Sequence, residues 1–406
     1  MSNPSTFEQA STVLNSLYQQ ATGRSAIIST EADFISVAKT TLSLDKDKVY
    51  NTLIDVIGKT IFNIRRTNPV MAGLEKDLPT WGAFMRKIGI VDSDMDDNNA
   101  YKYPVLYDAS ETSNPTGDGL SLDPWVIKKR EFLETYFTGQ SVFSDHYTLF
   151  DEQLETAFRG PEELVSFISL HSTDQKNKIQ RFKNNISRTL ASNFACALVA
   201  ENQTGRVVKL VTLYNSELGL TGTDALDSQS VLLPENFKPF EQWAYGKIAY
   251  IASMMCEDSV MYQTTITGKP IIKNTPYDKQ HFYMLASDRY QLDSRVLADA
   301  FHDNYLKYAD VETVNYWQSI KTPEQIKMKP TYTNTSGQVT VSGSAVTVNH
   351  VFALLFDDNA MGWRMVHHNS HLTPINPNGE YRNVWNNMRI RSVSDNTEKG
   401  VVFLLE

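Results

Sequence analysis

The sequence predicts an α+β protein with elongated parts, and three patterns indicate this fold class. Six apolar residues between Trp125 and Tyr147 fall at odd-numbered positions, a period-2 signal that is typical of extended strands: Trp125, Ile127, Leu133, Phe137, Phe143 and Tyr147. Apolar residues recur at helical spacing from Pro161 to Asn202, a stretch that would form a helix of roughly 60 Å. From Thr204 onward, segments with strand and helix patterns alternate, as they do in mixed α/β domains.

The N-terminal region has the pattern of short amphipathic helices. Helical spacing covers Thr6–Ala21, and a second helix is expected to begin at Thr30, where a carboxylate follows three residues later. A third helix is predicted over residues 45–64. Short helices of this kind suggest an arm that lies on other surfaces.

The middle of the chain predicts a long hairpin followed by a long helix. A strand is expected over Trp81–Val91, and a polar region of about thirty residues separates it from the period-2 run, where Gly139 is the expected bend. Pro161 opens the long helix, although its polar segment, residues 172–178, could divide it in two.

The C-terminal half is expected to contain strands and helices in mixed order. These are a strand over 207–215, a helix over 238–255, a buried strand over 281–287 that leads into a helix over 292–301, a hairpin about Ser342–Ser344, and closing strands over 386–394 and 400–406. A compact chain of this length would measure roughly 56 Å across, so the long hairpin and helix predict an elongated subunit. Neighbouring copies of the chain are the simplest cover for its apolar faces and strand edges.

The composition is that of a folded protein, with 41% hydrophobic and 21% charged residues among 406. A net charge of −9 argues against a protein that grips nucleic-acid phosphates, because such binding needs clustered Lys and Arg. Cys196 and Cys256 stand in apolar surroundings, where thiols act as small core residues. With no signal-peptide or membrane-span pattern, we expect a soluble protein made inside the cell.

The acidic segment from Asp92 to Asn99 resembles the start of a calcium loop. Asp92, Asp94 and Asp96 have the alternating spacing of EF-hand ligands. The sixth position needs glycine but is Asp97, and the twelfth needs a bidentate glutamate but is Tyr103. A solvated acidic loop is therefore the favoured interpretation, with calcium as the alternative.

Known motifs for phosphate binding, nucleophilic catalysis or zinc proteolysis are absent, so no catalytic, metal-binding or cofactor-binding residue is predicted. His367, His368 and His371 are the best metal candidates, but adjacent strand residues point to opposite faces, which favours surface or hydrogen-bonded histidines. Two carboxylate pairs could act as acid and base, although caps and solvated faces explain them better: Glu162 with Glu163, and Asp357 with Asp358.

A short basic run, residues 128–130, follows the polar region. We hypothesise that the acidic segment of one copy meets the basic run of another, a contact that high salt should weaken. With the aromatic side chains nearby, the residues predicted to make inter-subunit contacts are Asp92, Asp94, Asp96, Asp97, Tyr101, Tyr103, Trp125, Lys128, Lys129 and Arg130.

The order of these parts resembles the major capsid proteins of tailed double-stranded DNA bacteriophages with the Hong Kong 97-like fold. It is similar in particular to those of small short-tailed phages of the phi-twenty-nine and picovirus kind. The stretches that carry the resemblance cover most of residues 50–406: LIDVIGKTIFNIRR, REFLETYFTGQSVFSDHYTLFDEQLETAF, GPEELVSFIS, HFYMLASDRYQLDSRVLADAF and ALLFDDNAMGWRMVHHNSHLTPINPNGEYRNVWNNMRIRSV.

The resemblance implies a division of the chain. Residues 1–65 would be an N-terminal arm, 66–79 a linker, 80–147 an extended loop, 148–204 a peripheral domain with its spine helix at 161–202, 205–330 an axial domain, and 331–406 strands that return to the peripheral domain and close it. The Lys, Asn and Glu triplet that cross-links some shells of this fold cannot be placed by motif. No extra immunoglobulin-like domain is expected.

The resemblance also implies function: a structural protein, not an enzyme, that assembles with itself into pentamers and hexamers of an icosahedral shell around double-stranded DNA. Scaffolding and portal proteins are further expected partners, and packaged DNA would be contacted without sequence specificity. No cofactor and no membrane are expected, and the location would be the virion capsid, assembled in the host cytoplasm. The alternatives are a carboxylate-based hydrolase and a receptor- or sugar-binding virion module, whose exposed aromatics would stack on a ligand.

Overall fold

The computed structural model describes residues 4–26, 28–44, 68–78, 84–91, 125, 129–138, 140–295 and 311–406. The helices in these ranges are α1 Pro4–Thr22, α2 Glu31–Leu44, α3 Asp151–Ala157, α4 Pro161–Glu201, α5 Leu210–Leu218, α6 Pro234–Cys256 and α7 Ala286–Arg295. The strands are β1 Phe84–Ile90, β2 Phe132–Thr138, β3 Gln140–Phe150, β4 Val207–Lys209, β5 Gln280–Leu285, β6 Val311–Val314, β7 Ile326–Met328, β8 Thr331–Thr333, β9 Val339–Val341, β10 Val346–Val348, β11 Val351–Asp357, β12 Met361–Leu372, β13 Tyr381–Ser394 and β14 Gly400–Leu404. Of the described helices, none has the length and apolar character needed to cross a membrane.

A five-stranded sheet with the order β4-β14-β11-β5-β6 forms the centre of the molecule. Its middle strand, β11, is buried along its whole length because apolar layers cover both faces. One layer includes Phe194 and Leu198 of α4, and the other includes Tyr214 of α5 and Phe240 of α6. The buried strand at 281–287 and the closing strand at 400–406 are confirmed as β5 and β14.

The long helix α4 is unbroken over 41 residues, or roughly 60 Å. Pro161 stands in its first turn, and Asn202 ends it in the left-handed conformation, donating its N–H to the carbonyl of Leu198. The polar segment at 172–178 remains helical, and Lys178 pairs there with Asp174 one turn earlier at 3.4 Å. The alternative of two helices is therefore wrong.

A second sheet, with the antiparallel order β12-β13-β3, lies over α4. Leu149 of β3 and Val384 of β13 share a core with Leu164 of α4, and helices α1 and α2 add Leu14 and Phe34 to it. The two N-terminal helices thus pack on the body of their own chain. The start signal predicted for the second helix is confirmed, since Thr30 and Asp33 exchange hydrogen bonds at the N-terminus of α2.

Several expectations were wrong because distant partners decide the structure. Residues 207–215 form only the short strand β4 and then α5, whose buried residues Leu210, Val211 and Tyr214 follow helical spacing. No hairpin forms about Ser342–Ser344, since β9 pairs with β8 and β10 pairs with β7. The helix expected over 292–301 begins earlier, at Ala286, and is described only to Arg295.

The period-2 run divides into two strands that belong to different sheets. β2 pairs with β1 in a two-stranded hairpin, whereas β3 pairs with β13 in the sheet over α4. The expected bend, Gly139, lies outside the described residues, as does the third predicted helix at 45–64.

A buried ion cluster holds the hairpin β1–β2 against the body. Lys87 of β1 pairs with Asp395 and Glu398, and Lys273 also reaches Glu398 at 3.1 Å. The side chains of Asp395 and Glu398 are only 1% and 9% exposed. Next to the cluster, a side chain added at Gly89 would meet Ile271 at 2.7 Å, which shows how closely the hairpin approaches the body.

At Lys87 and Asp395 the effect of charge pairing on the pKa exceeds that of burial, whereas burial lowers the pKa of Lys273 below its ordinary value. Burial alone would lower the pKa of Lys87, but the charges and hydrogen bonds of Asp395 and Glu398 raise it above its ordinary value. Burial would raise the pKa of Asp395, but Lys87 and the Thr397 hydroxyl lower it. The attachment is therefore ionic over the whole neutral range, and for Asp395 it weakens only as pH falls below the ordinary aspartate range.

We predict that Lys87→Met loosens the hairpin without unfolding the body. The change leaves two buried carboxylates with one cation fewer, a loss on the order of 1–3 kcal/mol given the partial exposure of Lys87. Hydrogen exchange should accelerate at residues 85–90 and stay slow in β11 and β14. The exposed Lys129→Met serves as the control, and unchanged exchange at 85–90 in Lys87→Met would contradict this attachment.

A second prediction concerns a buried carboxyl in α6. Glu241 is 1% exposed, and burial, together with the charge of Asp288, raises its pKa to about 8 from 4.5. The folded state therefore holds a proton that the unfolded state releases, so stability should fall as pH rises from 5 to 8. Denaturant unfolding of Glu241→Gln should show a smaller pH dependence, whereas exposed Glu235→Gln should keep the original one. Equal pH dependence in Glu241→Gln and the unchanged chain would contradict the assignment.

Candidate assembly surface

The hairpin β1–β2 has one packed face and one open face. Residues directly opposite in an antiparallel pair share a face, and the register pairs Ile90 with Phe132, Ile88 with Glu134 and Arg86 with Tyr136. These six residues form what we call the outer hairpin face. The opposite face carries Lys87 and Leu133 and is turned toward the body.

Apolar side chains dominate the outer hairpin face although it is open to solvent. Ile88, Ile90, Phe132 and Tyr136 are 48%, 46%, 55% and 46% exposed. Arg86 and Glu134 add an ion pair at 3.9 Å, which is weak at this exposure. Contiguous exposed apolar side chains on a strand pair mark an interaction surface, because they cost solubility unless a partner covers them.

A second open surface lies on the sheet β12-β13-β3. Alternate residues of β13 from Arg382 to Ile390 are buried, so the residues between them point outward. The register aligns His371, Trp385 and His146 in one row, and His367 and Arg389 in another, with Asn387 between them. These six residues define the outer sheet face. The His146 ring stacks on Trp385 with centroids 4.4 Å apart.

The structure describes only some of the residues predicted to make inter-subunit contacts. Trp125 is 84% exposed, and Lys129 and Arg130 are also exposed beside the start of β2. The others lie outside the described residues, which leaves the contact with the basic run a prediction: Asp92, Asp94, Asp96, Asp97, Tyr101, Tyr103 and Lys128. The calcium alternative concerns the same undescribed segment.

The sequence candidates for metal binding lie on β12 without converging on a site. His367 and His368 are neighbours that pair with Arg389 and Met388 on opposite faces, after a bulge at Met365. Burial and the charges of His367 and Lys183 lower the pKa of His368. Within the described ranges, no three His, Cys, Asp or Glu side chains are grouped to hold a metal ion.

The carboxylate pair Asp357 and Asp358 is engaged in contacts with other segments of the chain. Asp357 accepts hydrogen bonds from the Thr275 hydroxyl at 2.6 Å and the Asn359 N–H at 2.7 Å. Asp358 pairs with Lys76 at 2.7 Å and His281 at 2.8 Å. These contacts tie separate chain segments together and give no arrangement of acid, base and substrate space.

The other pair, Glu162 and Glu163, lies in the first turn of α4, where carboxylates complement the helix dipole. Glu163 also borders an open groove of about 610 Å³ between α3 and α4, opposite Glu152, with Phe167 and His171 among its lining. The groove is wide and exposed, unlike the enclosed clefts that hold small substrates.

Sequence reasoning missed the two open faces and the ion cluster under the hairpin. Alternation along Trp81–Val91 puts Ile88 and Ile90 on one side of a strand, which indicates a face but not its exposure. The alternation along β13 likewise indicates two faces of a strand. Lys87, Asp395 and Glu398 could not be joined from sequence, because some three hundred residues separate them.

Comparisons with known proteins agree with this architecture. The family model described as Phi29-like phage major capsid protein matches residues 12–394. A comparison with curated protein sequences found no match.

Solved structures with a similar fold come from phage particles. A chain from the capsid structure of Staphylococcus phage Andhra is 9% identical with a TM-score of 0.50, and the match covers 86% of this chain and 88% of that one. A chain from the structure of head fiber and inner core protein gp22 of native bacteriophage P68 is 12% identical with a TM-score of 0.52, covering 86% and 87%. At such low sequence identity these similarities show only the fold. It is the Hong Kong 97-like fold of phage capsid proteins. By its family match over residues 12–394, the chain belongs to the Phi29-like phage major capsid proteins.

Proposed function

We propose that this major capsid protein assembles with itself into the pentamers and hexamers of an icosahedral shell that encloses double-stranded DNA. The observation that carries the proposal is the outer hairpin face, whose four large apolar side chains are about half exposed while the opposite face is held by buried charges. Heterologous contacts that close around symmetry axes would cover this face in the assembly.

Burial against a neighbour supplies a driving force of suitable size. Half of the accessible surface of each apolar side chain remains to be buried, which is worth on the order of 1 kcal/mol per side chain. Several such contacts per subunit, repeated around a ring, make assembly cooperative while each single contact stays weak enough to rearrange. The outer hairpin face is therefore suited to a shell rather than to a permanent dimer.

The domain division follows the same proposal. The extended loop would include the hairpin β1–β2, the peripheral domain would be built on α4 and the sheet β12-β13-β3, and the axial domain would include α5, α6 and α7. The negative net charge of −9 suits a container that does not adsorb packaged DNA. We further propose a purely structural role, the particle of a short-tailed phage, scaffold and portal proteins as partners, and assembly in the host cytoplasm.

Electron microscopy and light scattering of the purified chain test the proposal. Shells, rings or polydisperse oligomers are expected, and a monodisperse monomer under all conditions, including with its scaffold, would contradict it. We predict that Ile88→Asp lowers shell yield at least tenfold, because a carboxylate must then lose its water at the interface.

The subunit itself should tolerate this change, since exposed substitutions alter stability by only about 0.5 kcal/mol. Val339→Asp is the matched control, because Val339 is 63% exposed on β9, outside the hairpin. Normal shells from Ile88→Asp, with the mutant subunit stably folded, would rule out the outer hairpin face as the principal contact.

A further inference from the structure

The turn between β12 and β13 contains a chemically labile pair of residues. Asn378 is followed by Gly379, and this is the only Asn–Gly pair in the sequence. Both residues are exposed in the turn formed by residues 377–380. An asparagine in this setting is prone to lose ammonia, because glycine has no Cβ to shield its backbone nitrogen from the asparagine side chain. The pair is therefore a candidate site of covalent modification.

The groups that would react are only loosely held. The N–H of Gly379 donates to the carbonyl of Asn376 at 3.3 Å, whereas Glu380 donates to the same oxygen at 2.9 Å. A hydrogen bond of the longer distance protects an amide weakly. The backbone N–H of Asn378 donates to Asn376 Oδ1 at 3.0 Å, but its exposed side chain has no hydrogen bond to another described residue. The side-chain amide and the Gly379 nitrogen are thus accessible to each other and to water.

We propose that Asn378 is a site of spontaneous deamidation, and that its isoaspartate product releases the turn from α3. The backbone nitrogen of Gly379 attacks Cγ of Asn378, the bond from Cγ to the amide nitrogen breaks, and ammonia leaves with the proton of the attacking nitrogen. Water then opens the cyclic succinimide that has formed. Breaking the new bond at Cγ gives aspartate, and breaking the original peptide bond gives isoaspartate. Each product carries a carboxylate in place of the amide.

Two other asparagines nearby lack the features that make Asn378 reactive. Asn376 precedes Pro377, whose nitrogen has no proton to give up. Asn369 lies within β12, where its pairing with Asn387 fixes the backbone in an extended form. Neither position combines a following glycine with a place in an exposed turn. Deamidation should therefore be specific to Asn378.

The isoaspartate product would disturb a turn that has little space for it. Isoaspartate lengthens the main chain by one carbon, and the backbone at Gly379 already lies so close to Tyr381 that an added Cβ would meet the ring at 2.7 Å. Glu380 has a φ of 47°, in the left-handed region. Its carbonyl accepts the N–H of Asp151, the first residue of α3, at 3.0 Å. A longer main chain shifts this carbonyl, so the bond between the turn and α3 should break.

Mass spectrometry of the purified, folded chain tests the modification. Trypsin cleavage after Arg364 and Arg382 releases a single peptide that contains Asn369, Asn376 and Asn378. After incubation in mildly alkaline buffer, Asn378 should gain about one mass unit roughly tenfold faster than Asn369, because only Asn378 precedes an unshielded nitrogen. The variant Asn378→Gln should show no such gain in this peptide. Equal rates at Asn369 and Asn378, or a gain at Asn378 in the released peptide but not in the folded chain, would overturn the proposal.

Hydrogen exchange of the incubated chain tests the structural consequence. The amide of Asp151 should exchange about tenfold faster once residue 378 is isoaspartate, because its hydrogen bond to Glu380 is lost, while exchange in the buried strand β11 stays slow. Freshly prepared Asn378→Asp is the matched control, since it carries the new charge on an ordinary backbone and should keep slow exchange at Asp151. Unchanged exchange at Asp151 in the isoaspartate fraction, or equally fast exchange in fresh Asn378→Asp, would overturn the release of the turn by the longer backbone.

Discussion

The ion cluster in which Lys87 meets Asp395 and Glu398 determines which face of the hairpin remains free. A two-stranded hairpin alone has no stable orientation, because each face is equally open. Here the carboxylates are buried and the ammonium group is shared between them, so releasing the hairpin would leave charges without partners in a poorly solvated site. The apolar side chains of the outer hairpin face are consequently held outward, toward any neighbouring subunit.

The position of that cluster depends in turn on the central sheet and on α4. β14 and β11 are buried on both faces, and the turn from Asp395 to Lys399 that connects β13 with β14 is buried as well. The buried guanidinium of Arg206 stabilises this turn by donating hydrogen bonds to the carbonyls of Glu398 and Gly400. A rigid core thus presents the anchoring carboxylates at a fixed place, and α4 carries the same frame over roughly 60 Å to the core shared with α1 and α2.

Local signals allowed much of the frame to be predicted from the sequence. The pattern from Pro161 onward, the capping pair Thr30 and Asp33, and the buried strands β5 and β14 depend on neighbouring residues, and the structure confirms them. The division of the period-2 run, and the separate partners of β9 and β10, depend on pairing between distant segments, which period-2 alternation does not specify. The strand expected over 207–215 is likewise cut short after Lys209, because Leu210 and Tyr214 pack at helical spacing in α5.

The candidate surface shows the same limit. Alternation in β1 and β13 identifies two faces in each strand, but only the contacts of Lys87 and Gly89 with the body, and of β13 with α4, decide which face is open. Charge and aromatic character near the polar region underlie the inter-subunit contacts predicted from the sequence. Trp125, Lys129 and Arg130 are exposed, and their contact with a neighbouring copy stays a prediction, while the outer hairpin face is recognisable only from the tertiary structure.

A cryo-electron microscopy reconstruction of assembled shells tests the central claim most directly. The account predicts that Ile88, Ile90 and Phe132 of each subunit are buried against a neighbouring copy while Lys87 stays paired with Asp395 of its own chain. Shells in which the outer hairpin face remains open to solvent, with the subunits joined elsewhere, would contradict it.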